Sequence, residues 1–87
     1  MSKKRFFVFI NKSKTGKNNV CGENIAKFRK EMKISQRKLA DKLQLAGLNV
    51  DKNAIQRIES GQRFITDIEL IVIAQVLDKP IMDLYNL

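Results

Sequence analysis

Residues 66–77 read TDIELIVIAQVL, and with a helical period this segment has apolar residues on nearly every side. Thr66, followed three residues later by Glu69, is a capping box, which is a local signal for the start of a helix. A helix that is apolar almost all round has to be covered by its neighbours. The segment therefore predicts a central helix inside a small helical bundle.

Four further helices are predicted from apolar residues that recur with a helical period. Their ends are indicated by capping residues, glycines and one proline. The first helix begins at about Glu23, the second lies between Ser35 and Gly47, the third between Asp51 and Gly61, and the fifth has Pro80 in its first turn. We expect an all-α domain of five short helices over residues 22–87, with residues 1–21 outside it.

Residues 1–21 have a different composition. The segment FFVFI at 6–10 is aromatic and β-branched, which favours a short β-strand, and a basic loop, NKSKTGKNN, follows it. A lone strand has unpaired edges, so it needs a partner, either the same strand of a second subunit or an extended piece of its own chain. FFVFI is too short for the apolar part of a signal peptide, and no stretch approaches membrane-spanning length. We expect a cytoplasmic protein with no membrane partner.

Charge is divided unevenly along the chain. The net charge is +8, with 16 Lys/Arg against five Asp/Glu in residues 1–63 and one Lys against four Asp/Glu in residues 64–87. The first part therefore carries +11 and the second −3. A basic end and a mildly acidic end predict a polyanionic partner on one side only.

Composition argues against catalysis. The chain has no histidine and a single cysteine, Cys21, so an imidazole base and a histidine metal ligand are both impossible. Nothing in the sequence resembles a base with a nucleophile, or a cleft with paired carboxylates. We expect no enzyme activity, no metal, no cofactor and no small-molecule ligand. One unpaired cysteine also fits a reducing compartment.

Arg29 and Glu59 each occupy an inward position in an otherwise apolar stripe, on the first and third predicted helices. A buried charge is tolerated mainly when it is paired and hydrogen-bonded. The simplest expectation is a structural ion pair between these two side chains across the core.

The motifs SQRKLADKL, AIQRIESG and ITDIELIVIAQVLDKPIMDLY occur in that order. Together they resemble the helix-turn-helix domain of Cro and phage-repressor type transcription regulators, over residues 22–87. The resemblance implies that helix three enters the DNA major groove, that helix two crosses the backbone, and that subunits pair on a two-fold site. LQLAGLNV makes the connection between these helices about five residues longer than the usual pattern, as in longer-turn regulators of bacterial type.

Candidate DNA contacts lie on helices two and three. With Ile55 and Ile58 inward, the open side of helix three carries amide and cationic groups that suit base edges. The predicted base-reading residues are Lys52, Asn53, Gln56 and, for a thymine methyl group, Ala54. Phosphate contacts are expected from Gln36 and Arg37, which match the family positions on helix two, and from Lys38, Arg57 and Arg63.

These features predict sequence-specific binding of double-stranded DNA by a small homodimeric transcription regulator. The fifth helix has more apolar surface than one core needs, so we expect the dimer to form through it, through the N-terminal strand, or through both. A first alternative is a protein-interaction module, an antitoxin or adaptor, in which DNA binding is secondary. A second is RNA binding through the basic arm of residues 3–19.

Overall fold

The computed structural model describes residues 16–86, and these fold into five helices. The helices are α1 (Gly22–Glu31), α2 (Gln36–Leu45), α3 (Lys52–Glu59), α4 (Asp67–Leu77) and α5 (Ile81–Leu84). The prediction of five helices is confirmed, and no strand occurs within residues 16–86. The predicted strand at 6–10 lies outside the described residues.

Local capping starts three of the helices at the expected residues. The Ser35 hydroxyl accepts a hydrogen bond from the Lys38 N–H at 3.0 Å, and the Asp51 carboxylate accepts one from the Ala54 N–H at 2.8 Å. Thr66 and Glu69 form the complete capping box at the start of α4. Each contact satisfies an N–H group that has no partner within its helix. Pro80 lies at the N-cap of α5, one residue before the helix.

The long connection between α2 and α3 is an ordered turn. Gly47, with φ of 96°, follows the C-terminal end of α2, which is at Leu45. The Gly47 N–H donates to Gln44 O, and the Leu48 N–H donates to Leu43 O, which is the Schellman pattern of helix termination. Val50 then packs into the core, and the Gln44 side chain donates to its carbonyl at 2.7 Å. The turn is therefore held at the end of α2 by the Schellman bonds and before α3 by Val50, and together these contacts fix the position of α3.

The core lies where all five helices meet. Its largest side chains are almost completely shielded from solvent, and they come from every helix: Ile25, Leu39, Leu43, Ile55, Ile58, Ile73, Leu77 and Leu84. Arg29 is the one charged residue of the described chain that is counted among the buried ones. Among the described residues, no helix is long and apolar enough to cross a membrane.

The prediction that α4 is covered by its neighbours is wrong on one side. Leu70, Ile73 and Leu77 are buried against α1, α2 and α5. On the other side Ile68 is 69% exposed and Ile71 is 45% exposed. The physical reason is that the neighbours of α4, which are α1, α2 and α5, cover the side that carries Leu70, Ile73 and Leu77.

Candidate nucleic-acid interface

Helix α3 presents a polar side to solvent and an apolar side to the core. Ile55 and Ile58 are buried between α1 and α2, whereas Lys52, Asn53 and Gln56 are exposed. The two isoleucines are three positions apart, so they share one side of the helix. The exposed amide and ammonium groups therefore project from a helix that is fixed from behind.

Ala54 is an exception among the predicted base-reading residues. It is only 8% exposed and belongs to the core cluster. Ala54 and Ile58 are four positions apart and lie on the same side of α3, which turns the Ala54 methyl group inward. The burial of Ala54 therefore counts against the expected contact with a thymine methyl group.

The start of α2 lies beside α3 and contributes cations. Arg37 and Lys38 are exposed in its first turn, directly after the capping residue Ser35. N–H groups in the first turn of a helix point outward and attract anions. Arg57, near the end of α3, is also exposed. These three side chains are accessible to a phosphate backbone.

A network around Glu59 joins three helices. Arg29 Nε donates to Glu59 Oε2 at 2.7 Å and Arg29 Nη2 donates to Oε1 at 3.0 Å, while Arg29 Nη1 donates to Ile34 O at 2.8 Å. The side chains of Arg29 and Glu59 are only 10% and 7% exposed. The ion pair expected from the sequence is present, and it holds α3 against α1.

Gln36 belongs to the same network. Its Nε2 donates to Glu59 Oε1 at 2.9 Å, and its side chain is half-buried. This contact connects the first residue of α2 to the last residue of α3. Gln36 was predicted to contact the DNA backbone; the structure also gives it a role in setting the relative position of α2 and α3.

A helix-turn-helix family model matches residues 25–84, a span that contains α2 to α5 and most of α1. The chain belongs to the helix-turn-helix family. The match is to its Cro and C1 type, a DNA-binding family, and the resemblance seen in the sequence is confirmed. The chain has no significant match among curated proteins or among solved structures.

In this helix-turn-helix domain, Arg63, a predicted phosphate contact, already forms an ion pair with Glu69. Its Nη1 and Nη2 donate to Glu69 Oε1 and Oε2 at 2.9 and 2.8 Å, and Nη1 also donates to Phe64 O. The hydrogen bond from Arg63 is the main cause that lowers the pKa of Glu69, and the same contact raises the pKa of Arg63. Any phosphate contact by Arg63 has to compete with Glu69.

Sequence reasoning missed the contribution of Asn18 and Asn19. They precede α1, yet their side-chain amides donate to carbonyl groups in the last turn of α3 and in the turn that follows it. The contacting residues are separated by 39 and by 44 positions in the sequence, so no local pattern predicts these contacts. Residues 17–22 therefore lie along the end of α3. Across residues 16–86 no group of His, Cys, Asp or Glu side chains is arranged to hold a metal ion.

Proposed function

We propose that this helix-turn-helix domain binds double-stranded DNA in a sequence-specific manner and acts as a small homodimeric transcription regulator. The observation that carries the proposal is the exposed polar side of α3, with Lys52, Asn53 and Gln56 projecting from a helix that Ile55 and Ile58 hold in the core. The proposal involves binding only, with no catalytic step, and it places the protein with the DNA in the cytoplasm.

The chemistry of these three side chains suits base edges in the major groove. The amides of Asn53 and Gln56 can donate to N7 and accept from N6 of adenine, and the Lys52 ammonium can donate to O6 and N7 of guanine. All three lie in the first five residues of α3. The N-terminal part of the second helix of a helix-turn-helix is the part that reaches base edges.

Phosphate contacts have a separate origin on the domain. Arg37 and Lys38 lie on α2, and Arg57 lies on α3 beyond the base-reading residues. Such contacts fix the register of a protein on the duplex but carry no sequence information themselves. The net charge of +11 in residues 1–63 favours association with any duplex.

The main test measures affinity for a selected duplex and for a random one. Gln56→Ala and Asn53→Ala are each expected to cost about 1–3 kcal/mol on the selected duplex and little on the random one. Gln75→Ala is the matched control, because Gln75 is an exposed glutamine on α4. Equal losses on both duplexes would reject base reading by α3.

The second arm of the test concerns phosphates. Arg37→Ala is expected to weaken binding to every duplex and to reduce the slope of log K against log salt by about 0.9. Lys30→Ala removes the same charge from an exposed position on α1 and serves as the control. An unchanged slope for Arg37→Ala would remove α2 from the backbone contacts.

The proposed dimer is supported by exposed apolar side chains on and after α5. Met82 is 74% exposed, and Ile81 and Tyr85 are also exposed, whereas Leu84 is fully buried and belongs to the core. Subunits paired on a two-fold axis predict half-sites about 34 Å apart on the duplex.

Light scattering tests this pairing with Met82→Asp, which is expected to yield a monomer if the contact lies on α5. Leu45→Asp is the control, because Leu45 is a highly exposed apolar residue at the end of α2. Removal of residues 1–15 tests the N-terminal segment as the second candidate contact. A wild-type chain that is monomeric on DNA and in solution would reject the homodimer.

A further inference from the structure

The C-terminal end of α3 has a cap supplied from outside the helix-turn-helix. The amide nitrogen of Asn19 donates to Ile58 O at 3.0 Å and to Arg63 O at 2.8 Å. Ile58 is in the last turn of α3, whose carbonyl groups lack partners within the helix. One side chain thus joins the end of α3 to the turn that leads to α4.

Neighbouring residues reinforce this contact. The Asn18 N–H donates to Gly61 O, and the Asn18 side chain donates to Gln62 O, both at 2.8 Å. The oxygen of the Asn19 amide accepts from the Gly22 N–H at 2.7 Å, which orients the amide and ties it to the first residue of α1. Both polar atoms of the Asn19 side chain are therefore engaged.

The backbones of α1 and α3 approach too closely for any side chain between them. A Cβ atom at Gly22 would collide with the carbonyl oxygen of Ile58. Glycine at position 22 thus permits the direct contact of the start of α1 with the end of α3. The separation of these two helix ends is fixed by backbone atoms and by the Asn19 amide.

We infer that Asn19 is a positioning residue for DNA recognition, which fixes the orientation of α3 without itself contacting DNA; this inference rests on the proposed function. Asp51 caps the N-terminal end of α3, and Asn19 holds the opposite end. A helix of eight residues is about 12 Å long, so a shift of about 1 Å at one end tilts it by about 5°. Specific contacts require positions held to about 0.5 Å, so loss of the Asn19 contacts misplaces the base-reading side chains.

The chain offers a matched control in Asn24. Its amide nitrogen also donates to two carbonyl oxygens, Leu84 O and Asn86 O, both at 3.0 Å. Asn24 is half-buried, as Asn19 is, but its partners are at the end of α5. Asn19→Ala and Asn24→Ala therefore remove the same chemistry from contacts with two different helices, α3 and α5.

The experiment measures the ratio of affinities for the selected and the random duplex, well below the melting temperature. A smaller folded fraction lowers both affinities equally, so the ratio reports on recognition and is insensitive to stability. Asn19→Ala is expected to reduce this ratio about tenfold, the size of one lost bidentate base contact. Asn24→Ala is expected to leave the ratio unchanged, provided that the selected duplex carries a single half-site, which keeps the proposed dimer contact at α5 out of the measurement. An unchanged ratio for Asn19→Ala, or an equal fall for Asn24→Ala, overturns the inference.

A milder variant covers the case in which Asn19→Ala does not fold. Asn18→Ala releases Gln62 O only, and it removes a buried oxygen, Asn18 Oδ1, that has no hydrogen-bond partner. It is expected to lower the same ratio by a smaller factor, about two- to fivefold. A ratio equal to that of the wild type overturns the inference in this case.

A second measurement does not involve DNA. The N–H groups of Gly61, Gln62 and Arg63 donate to the last carbonyl groups of α3, so their hydrogen exchange reports on the end of this helix. Exchange of these amides is expected to accelerate in Asn19→Ala, or in Asn18→Ala to a smaller extent, but not in Asn24→Ala. If the wild type prefers no duplex, the proposed function fails, and exchange alone then decides whether Asn19 fixes α3. Unchanged exchange rejects the positioning role.

Discussion

Helices α3 and α4 expose opposite kinds of side chain, although both pack on the same core. The polar side of α3 faces solvent, with Lys52, Asn53 and Gln56 exposed and the two isoleucines buried. Helix α4 has Ile73 and Leu77 in the core but leaves Ile68 and Ile71 exposed. Polar groups in water cost nothing to keep there, whereas exposed apolar area costs about 25 cal/mol per Å² relative to burial. The comparison teaches that apolar content alone does not tell which side of a helix is covered.

The two helices also differ in how deeply their ion pairs are buried. Glu59 ends α3 inside a nearly dry network with Arg29 and Gln36. Glu69 lies in the first turn of α4, where it caps the helix and pairs with the more accessible Arg63. Loss of a buried partner leaves a charge without solvation, whereas water compensates near the surface. Substitutions at the two carboxylates therefore sharpen the comparison.

The largest effect is expected from Glu59→Gln. The change leaves the buried guanidinium of Arg29 without its counter-charge, and we expect a loss of about 3–5 kcal/mol in the free energy of unfolding. Urea denaturation followed by circular dichroism measures it. Glu23→Gln is the control, since Glu23 pairs with Lys17 at the surface. A loss below about 1 kcal/mol at Glu59 would show that the network contributes no more than a surface pair.

The next effect separates the inner side of α3 from the outer side of α4. Ile58→Ala is expected to cost about 2–5 kcal/mol, because Ile58 is completely buried and the change leaves a cavity. Ile68→Ala makes the same chemical change at an exposed position and is expected to stay within about 0.5 kcal/mol. Thermal unfolding at low protein concentration measures both. A loss at Ile68 as large as that at Ile58 would mean that something covers α4.

The smallest effect concerns pH and the start of α4. The pKa of Glu69 is held below its ordinary value of 4.5, chiefly by the hydrogen bond from Arg63. Stability from this pair is thus fully present above pH 4.5 and is lost as the pH falls through the lowered pKa. Glu69→Gln keeps an oxygen for the capping box but removes the charge. Denaturation at pH 7 and at pH 3 measures the free energy of unfolding of both proteins. Between these pH values we expect the wild type to lose more stability than the variant, by about 1 kcal/mol or less. Equal losses of stability in the wild type and in Glu69→Gln would exclude the pair of Arg63 and Glu69 as a source of acid sensitivity.

Features set by neighbouring residues could be predicted from the sequence. The caps Ser35, Asp51 and Thr66 act within three residues, so a local pattern is enough to find them. The pairing of Arg29 with Glu59 also followed, because two opposite charges at inward positions of separate apolar stripes have few other ways to be satisfied. The caps depend on the residues next to them in the sequence, whereas the ion pair depends on helical periodicity and on the general cost of burying a charge.

Features set by distant parts of the chain could not be predicted. The exposure of Ile68 depends on which side of α4 the other helices cover, and the cap at Asn19 depends on residues about forty positions away. Periodicity carries no information on these distances.

The separation of buried and exposed residues within α3 has a consequence for engineering the domain toward new targets. Ala54, Ile55, Ile58 and Glu59 connect the helix to the rest of the molecule, whereas the second set consists of exposed residues: Lys52, Asn53, Gln56 and Arg57. On the proposed function, a library that varies the second set while retaining the first is expected to yield folded proteins with an altered preference for DNA sequence. Specificity in this scaffold would then be exchangeable at four positions, with stability left nearly untouched.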